Sequence, residues 1–442
     1  MPFFNPASEE LRYLNSHERT IIKLTVFGAF FTCFDFVIYF FFKDAILESL
    51  FSPTVSKEMQ AFSFLVLVLV GYVSRPLGGQ ILADIGDRHG RKPVLLFSLF
   101  LVALSTLCIG VLPSYAQIGI FAPLLLMALR FAQGLGMGAE VPASWSYLAE
   151  HMPGRQIGAV CGTLIAVQIL SVLLANIMSS LLANSLTPNQ MMSYGWRIPF
   201  ILGGVFTLFA IIMRYRLSET PIFLYAQAKN QLIPRLPLLH AFHHHRYGLT
   251  MTFGLSWFVS SVFLIVYLLM PAFSIQMFEI DINWIMIANG IGLLFASLGA
   301  LMYGYLADRF NSGKVFSIGC ITLALATLLF YTIIKNTHEL LMLGYAILGF
   351  CSGIIGIVPS MCVRLLPANV RMSGMAFSYN VAYAITGAIT PILLLNFSSN
   401  ISSIPVLYLV FLCILGVIMG LFLTNLHGLY RIEEKPHHTE MV

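Results

Sequence analysis

The chain has 442 residues, of which 58% are hydrophobic and only 10% are charged, and its formal net charge is +5. Soluble domains carry about 25% charged residues, so this composition excludes a soluble protein that hides its apolar residues in a core. A lipid bilayer can cover such a surface, because a helix of about twenty apolar residues spans its hydrocarbon layer. The composition therefore predicts an all-α polytopic membrane protein.

Apolar runs of about eighteen residues or more recur along the whole chain. The gaps between these runs are too short to hold a second soluble domain. We therefore predict twelve transmembrane helices, near residues 21–42, 58–83, 93–112, 117–141, 157–183, 198–215, 248–273, 282–306, 315–335, 338–362, 373–396 and 404–426.

Basic residues are distributed unevenly between the predicted loops. If both termini are cytoplasmic, four basic residues fall in outside loops and two fall within apolar runs, while all the others lie in inside loops and tails. Because cytoplasmic loops of membrane proteins carry an excess of Lys and Arg, this distribution places both termini in the cytoplasm. The net charge therefore reflects membrane topology and indicates no nucleic-acid partner. The four outside residues are Lys43, Lys57, Arg197 and Lys335.

The sequence repeats itself at half its length. The stretch "ADIGDRHGRK" is echoed by "GYLADRFNSGK", which aligns Asp87 with Asp308 and Arg88 with Arg309. A second echo pairs "EHMPGRQIG" with "RLLPANVRMSG". Such repeats indicate two parallel six-helix bundles that bind solute between them near the membrane midplane. We predict an N-terminal bundle at 1–216, a cytoplasmic inter-bundle loop at 217–247, a C-terminal bundle at 248–426 and a cytoplasmic tail at 427–442.

Several short segments resemble signatures of the major facilitator superfamily. "GDRHGRK" resembles the signature of its loop between helices 2 and 3, and "RFAQG" at 130–134 resembles that of its helix 4. Five segments resemble the metabolite:proton symporter branch, whose members take up citrate, oxoglutarate, shikimate, proline and betaine. They are "FDF" at 34–36, "SRPLGGQILADIGDRHGRK" at 74–92, "RFAQGLGMGAE" at 130–140, "RLSETPIF" at 216–223 and "LLPANVRMSGMAFSYN" at 365–380. The resemblance implies the major facilitator fold and a bacterial inner membrane.

Two departures from the branch concern acidic positions. Thr32 and Cys33 stand where the branch usually has Glu-Trp, which removes a carboxylate from the first helix. Ala139 replaces the second glycine of a Gly-Gly-Glu triplet that ends in Glu140. The choice of substrate is therefore not implied by the resemblance.

The polar stretch at 79–93 interrupts two apolar runs with two acids and three bases. The resemblance places Asp87 near the N-terminus of the eleventh helix, where the helix dipole favours a carboxylate by about 0.3–1 kcal/mol. We predict a cytoplasmic gate formed by Asp87, Arg88 and Arg91, with Asp308 and Arg309 as its second copy. The alternative is a solvated basic loop that only follows the distribution of positive charge.

Four ionisable residues fall well inside predicted helices: Asp35, Arg75, Arg130 and Glu140. Each costs roughly 2.5–3.5 kcal/mol to insert, so each needs a partner, a hydrated cavity or a function. Glu140 lies about 15 Å along the helix from Arg130, too far for a direct pair. We predict that Arg130, with Arg75 as second candidate, receives a substrate carboxylate, and that Asp35 and Glu140 carry coupled protons. The alternative is a set of structural ion pairs among these four.

Other polar residues on the predicted helices could hydrogen-bond a substrate. Gln133 shares a helix face with Arg130, because the two positions are three residues apart. The remaining candidates are Gln168, Tyr267, Asn380 and Tyr383. For these four, hydrogen bonds between helices are the alternative.

No metal site is expected. The seven cysteines lie in apolar runs without metal-ligand spacing. The histidines at 240, 243, 244 and 245 fall in the inter-bundle loop, where a flexible segment would offer no fixed geometry.

These features predict a secondary active transporter that takes up a small carboxylate-bearing solute, namely an organic acid, an amino acid or a betaine, together with protons. It needs no cofactor beyond the proton gradient, and we expect a monomer in contact with lipid. A proton-driven exporter of the same fold is the first alternative, although the fifth run, "GTLIAVQILSVLLANIMSS", lacks the proline typical of drug antiporters. A non-transporting sensor is the second. An enzyme is not expected, because the chain has no P-loop, GxSxG or HExxH motif.

Overall fold

The computed structural model describes residues 14–52, 56–233, 236–278, 280–336, 338–398 and 403–425. Over these residues every regular element is a helix. Eleven helices are long and apolar enough to cross a membrane. A twelfth helix has 28 residues, which at 1.5 Å per residue is about 42 Å and also enough to cross. The chain is therefore a multi-pass membrane protein.

The twelve long helices follow the twelve predicted runs in order. The first six are α1 (Ser16–Phe41), α2 (Lys57–His89), α3 (Arg91–Gly110), α4 (Phe121–His151), α5 (Ile157–Ser185) and α6 (Arg197–Arg214). The last six begin with α7 (Arg246–Val262, continued by a π-helical segment Phe263–Leu269 and by Met270–Phe278), α8 (Ile282–Arg309) and α9 (Ser312–Asn336). They end with α10 (Leu341–Ser352, a 3-10 segment Gly353–Ile357, and Val358–Leu365), α11 (Arg371–Ser398) and α12 (Ile404–Asn425).

Short helices connect the long ones. In the first half they are Lys43–Leu50, Tyr115–Ile118, Gly154–Gln156, Pro188–Gln190 and Met191–Gly195. After α6 they are Pro221–Ala228, Pro237–His244 and His338–Leu340. The expectation of a flexible stretch around the loop histidines is wrong, because His240 and His244 lie on one face of a helix with their rings 4.1 Å apart.

Local sequence signals explain where several helices begin and end. Asn15 accepts a hydrogen bond from the Glu18 backbone, and the Glu18 carboxylate accepts one from Asn15, which completes a capping box at the start of α1. The Asp281 carboxylate caps α8 in a related way. Between α2 and α3 the chain turns at Gly90, whose φ of 112° is a conformation that glycine adopts without strain.

Large apolar side chains cover the outside of the helices. Ile81, Ile212, Ile318 and Leu325 are each more than 60% exposed in the isolated chain. A soluble monomer rarely exposes apolar surface on this scale, and lipid accounts for it directly.

Small residues bring the two halves of the chain into contact. Gly158 and Gly162 on α5 pack against Gly304 and Ala300 on α8, so that an added Cβ on any of these glycines would meet backbone atoms of the other helix. Such small-residue contacts let transmembrane helices approach closely. The two halves therefore pack along α5 and α8, and the fold agrees with the predicted arrangement of two six-helix bundles.

Candidate substrate cavity and cytoplasmic gate

A cavity lies between the two halves of the chain. Helices α1, α2, α4 and α5 line it from the first half, and α7, α10 and α11 line it from the second. On α7 and α10 the lining residues Phe263 and Ile355 belong to the π-helical and 3-10 segments. Departures from α-helical geometry are frequent at functional sites of helices. The other lining residues are Cys33, Phe36, Val37, Tyr72, Arg75, Met137, Val141, Trp145, Ile165, Gln168, Ile169, Val259, Tyr379 and Tyr383.

Among these lining residues, Arg75 is the one with a permanent charge. Its side chain is buried, and its Nε donates a hydrogen bond of 3.4 Å to Oδ1 of Asn380. Its Nη2 has no hydrogen-bond partner within the described part of the chain. No carboxylate of the described residues forms an ion pair with it. The cavity therefore presents a buried cation that lacks a protein counter-ion.

Four aromatic rings surround the guanidinium of Arg75, and we call them the aromatic cage. The Cζ atom of Arg75 lies 4.3 Å from the ring centre of Tyr383, 5.2 Å from Tyr379, 5.6 Å from Phe36 and 5.7 Å from Tyr72. All four distances are within the range of about 6 Å in which a cation is attracted to a ring face. The rings of Tyr72 and Tyr383 are nearly parallel, at 10° and 6.4 Å.

Helix spacing and small residues assemble the aromatic cage. Tyr379 and Tyr383 are four residues apart on α11 and therefore share a face of that helix. Helix α2 approaches α11 closely because Gly79 and Gly387 lack side chains. An added Cβ on Gly79 would meet the Asn380 amide, and one on Gly387 would meet the Tyr72 ring.

Two of the predicted substrate ligands on the C-terminal half are engaged elsewhere. The Asn380 amide nitrogen donates to the Gly138 and Ala376 carbonyls at 2.6 and 2.8 Å, and its oxygen accepts from Arg75. Asn380 therefore positions Arg75 in this conformation. The Tyr267 hydroxyl lies 2.9 Å from the Ser352 hydroxyl, and Tyr267 does not line the cavity. Gln168 and Tyr383 do line it.

Arg130 and Gln133 lie behind the cavity wall, which corrects the expectation that both face it. The Arg130 guanidinium stands 4.9 Å from the Phe36 ring and 4.4 Å from the Tyr39 ring. Its Nη1 donates to Oε1 of Gln133 at 2.6 Å, and the Gln133 amide nitrogen donates to the Asp35 backbone carbonyl at 2.9 Å. Phe36 contacts both guanidiniums, but only Arg75 of the two lines the cavity. The geometry reverses the order of the two arginine candidates.

Asp35 is buried between α1 and α6 and does not line the cavity. Its Oδ2 accepts a hydrogen bond of 2.7 Å from the Thr207 hydroxyl. Its Oδ1 has no partner among the described residues, and no base of that part of the chain forms an ion pair with it. Gly203 leaves room for this carboxyl group on α6. Asp35 is therefore a buried carboxyl group without a cation beside it.

Glu140 forms a buried ion pair, but with a residue that the sequence analysis counted among the cytoplasmic bases. Arg214 Nη1 lies 2.6 Å from Glu140 Oε1, and the hydroxyls of Ser98 and Ser144 also donate to this carboxylate. Arg214 further donates to the Thr25 carbonyl. The four ionisable residues predicted inside the membrane therefore form neither a shared substrate site nor a set of ion pairs with one another. Of the four, only Arg75 lines the cavity.

The cytoplasmic gate residues Asp87 and Asp308 both bind the N-terminus of a helix from the other half. Asp87 accepts hydrogen bonds from the backbone of Met372 and Ser373 at the start of α11, at 3.2 and 2.9 Å. Asp308 accepts them from Gly158 and Ala159 at the start of α5, both at 2.7 Å. Free backbone N–H groups at a helix start bind carboxylates well. Each copy of the motif therefore joins one half of the chain to the start of a helix in the other half.

A buried charge cluster supports the contact of Asp87. Its central residue is Glu150, which was not among the predicted gate residues. Arg91 lies 3.5 Å from Asp87 and 3.2 Å from Glu150, and it donates to the Ala368 carbonyl at 2.6 Å. Glu150 also binds Arg371 at 2.8 Å and accepts from the Thr220 hydroxyl at 2.6 Å. In the sequence, Glu150 is distinguished only by its place in the second echo.

Two predicted gate bases take no part in these contacts. Arg88 pairs with Asp84 one turn earlier on α2, because positions four apart share a helix face. Arg309 is exposed, and its guanidinium lies 4.4 Å from the Tyr305 ring. The "RLSETPIF" segment supplies an acid instead: Glu219 accepts hydrogen bonds from the Arg91 and Lys92 backbone and so caps α3.

A sequence model described as Major Facilitator Superfamily matches residues 25–391 and, in a second match, 247–439. The chain belongs to this superfamily. It is 30% identical over 416 residues to a putative proline/betaine transporter of Staphylococcus haemolyticus, covering 92% of this chain and 88% of that one. It is 29% identical over 421 residues to the glycine betaine/proline/ectoine/pipecolic acid transporter OusA of Dickeya dadantii, covering 92% and 83%. It is 30% identical over 407 residues to the inner membrane metabolite transport protein YhjE of Escherichia coli, covering 87% and 88%.

Solved structures of the superfamily share the fold. The proton:xylose symporter XylE bound to 6-bromo-6-deoxy-D-glucose superposes with a TM-score of 0.77 at 16% identity, covering 93% of this chain and 96% of that one. The inward open conformation of XylE from E. coli superposes less well, with a TM-score of 0.62 at 16% identity and coverage of 96% and 98%.

Proposed function

We propose that this protein is a proton-coupled importer of small zwitterionic osmolytes of the proline and betaine type, acting in a bacterial inner membrane. The observation that carries the proposal is Arg75, a buried arginine that lines the inter-bundle cavity and has no carboxylate partner among the described residues. A desolvated cation of this kind is costly unless an anion joins it. A substrate carboxylate supplies that anion.

The chemistry of the cavity supports a zwitterion. A planar guanidinium binds a carboxylate through two parallel hydrogen bonds, and Nη2 of Arg75 is free to donate one of them. The aromatic cage offers ring faces to a positively charged nitrogen, as Tyr383 and Tyr379 already do to Arg75. Relatives that cover most of the chain are named as transporters of proline and betaine, which carry these two groups.

The buried carboxyl group of Asp35 is the proposed carrier of the coupled proton. An ionised carboxylate that is buried without a cation is expensive, so these surroundings stabilise the protonated form. Gln133 hydrogen-bonds both the Asp35 backbone carbonyl and Arg130, which connects the proton site to the guanidinium behind Phe36. A rearrangement of Arg130 on substrate binding would change the charge next to Asp35. Glu140 is the weaker candidate, because Arg214 already neutralises it.

Alternating access follows from the gate. Asp87 and Asp308 each bind a helix start across the interface between the halves, so opening toward the cytoplasm breaks both contacts together. The cavity, which both halves line, then opens to the cytoplasm.

Uptake into proteoliposomes tests this function. Purified protein should accumulate radiolabelled glycine betaine or proline when the outside is more acidic than the inside, and a protonophore should abolish the accumulation. Accumulation only under the reversed gradient would establish an exporter. Binding of solute without flux under either gradient would establish a sensor.

A further inference from the structure

The guanidinium of Arg75 occupies a place that is itself suited to a ligand cation. Its Cζ atom is within 6 Å of four ring centres, and the nearest, Tyr383, is 4.3 Å away. Ring faces attract any cation, and cages of several rings are a common way to bind quaternary ammonium groups. The protein's own side chain therefore fills the aromatic cage.

No carboxylate holds Arg75 in this position. Its hydrogen bond from Nε to Asn380 is long at 3.4 Å, and Nη2 has no partner in the described residues. Arg214, by contrast, is a buried arginine with firm partners. Glu140 binds it at 2.6 Å, and the Thr25 carbonyl accepts a hydrogen bond from it at 2.5 Å. An anion in the cavity could therefore draw Arg75 off the rings, whereas Arg214 is fixed.

No acidic residue among the described lining residues is available to a substrate nitrogen. A positively charged nitrogen that enters this cavity must bind ring faces, and those faces already hold the guanidinium. The two cations cannot share the same faces. One of them has to leave.

We propose that substrate binds by exchange of cations. The substrate carboxylate pairs with Arg75 and draws its guanidinium away from Tyr379 and Tyr383, and the substrate's alkylated ammonium takes the vacated faces. This inference rests on the proposed function and adds a rule of specificity. A cation without a carboxylate cannot displace Arg75, so Arg75 excludes simple quaternary amines.

Calorimetric binding to the full chain in lipid nanodiscs tests the exchange with three probes. Glycine betaine carries both groups, choline carries the ammonium without the carboxylate, and 3,3-dimethylbutanoate is the isostere with carbon in place of nitrogen. The wild type should bind glycine betaine at least tenfold more tightly than either of the others. In Arg75→Gln the rings are free, so choline affinity should rise roughly tenfold and match that of glycine betaine.

A folded Arg75→Gln protein that loses glycine betaine and gains no choline would overturn the exchange and leave the proposed function standing, with Arg75 as a plain carboxylate ligand. Absence of zwitterion binding to the wild type would overturn both. Tyr383→Leu and Tyr383→Phe give a second test that keeps Arg75. The Leu variant should bind glycine betaine roughly tenfold more weakly than the Phe variant, which retains the ring face. Equal affinities would contradict the exchange.

Discussion

The guanidinium of Arg214 and the carboxylate of Glu140 form a fully buried ion pair at 2.6 Å between α6 and α4. The two residues are 74 positions apart, and the pair also collects hydrogen bonds from Ser98 and Ser144. This pair joins α3, α4 and α6 within the N-terminal half. Glu140 therefore has a cation beside it, whereas Asp35 forms no ion pair with any described residue.

The Glu140–Arg214 pair is expected to contribute to stability. Removing one partner of a buried pair leaves an uncompensated charge and typically costs about 3–5 kcal/mol. Glu140→Gln and Arg214→Met should each lower the melting temperature of the purified protein, and the double variant should recover part of the loss. If Glu140→Gln keeps the wild-type melting temperature but loses uphill uptake and retains exchange, Glu140 is a proton site after all.

Asp35→Asn is expected to abolish uphill uptake while leaving exchange of solute across the membrane largely intact. The amide keeps the volume and accepts the hydrogen bond from Thr207 but cannot release a proton. Counterflow and gradient-driven uptake in the same proteoliposomes give the two rates. Thr207→Val is the matched control, because it removes the hydroxyl and leaves the carboxyl group. Undiminished active uptake by Asp35→Asn would remove Asp35 from the coupling mechanism.

Asp87→Asn is expected to weaken cytoplasmic closure. Hydrogen bonds to a charged group contribute about 1.5–3 kcal/mol, and Asp87 accepts two of them from α11. In a background without the seven native cysteines, Met375→Cys reports opening, because position 375 is buried on α11 and the introduced thiol reacts with an aqueous maleimide only when the gate opens. Modification should accelerate in Asp87→Asn and in Asp308→Asn. Arg88→Gln is the control and should show no change, since Arg88 pairs only with Asp84 on its own helix.

Gly304→Ala should also favour the open gate, for a steric reason. A Cβ at this position would overlap the Gly158 carbonyl and the Gly162 Cα on α5, so the two helices could not reach their closed separation. Gly290→Ala lies on the same helix, and its Cβ would meet side chains instead of backbone, at 3.3 Å from the Asn176 amide and 3.5 Å from Leu173, so a small side-chain shift accommodates it. The maleimide assay should therefore separate the two variants. Equal labelling rates would show that α5 and α8 tolerate the added methyl group.

Much of the fold was accessible from the sequence, because each membrane helix must satisfy its own backbone hydrogen bonds and therefore appears as one long apolar run. The placement of Asp87 at the start of α11 followed from the resemblance, and the repeat identified Asp308 as its counterpart. The pairing of Arg214 with Glu140 followed from neither. At the end of an apolar run, a base is indistinguishable from one that only follows the distribution of positive charge.

The order of the two candidate arginines also required coordinates. Arg75 and Arg130 are both buried and both lack an acid partner in the described residues, so composition alone cannot rank them. They differ in position, since Arg75 lines the cavity and Arg130 does not, although both contact the Phe36 ring. The aromatic cage could not be predicted from the sequence either, since its four rings come from α1, α2 and α11.

The central claim is that Arg75 receives the substrate carboxylate, and the most direct test is the concentration dependence of proton-driven glycine betaine uptake by wild type, Arg75→Lys and Arg130→Lys. A lysine keeps the charge but replaces a planar fork by a point charge. We predict that Arg75→Lys raises the KM at least tenfold, on the order of 1.4 kcal/mol or more, whereas Arg130→Lys keeps a KM close to that of the wild type. A wild-type KM in Arg75→Lys would contradict the account.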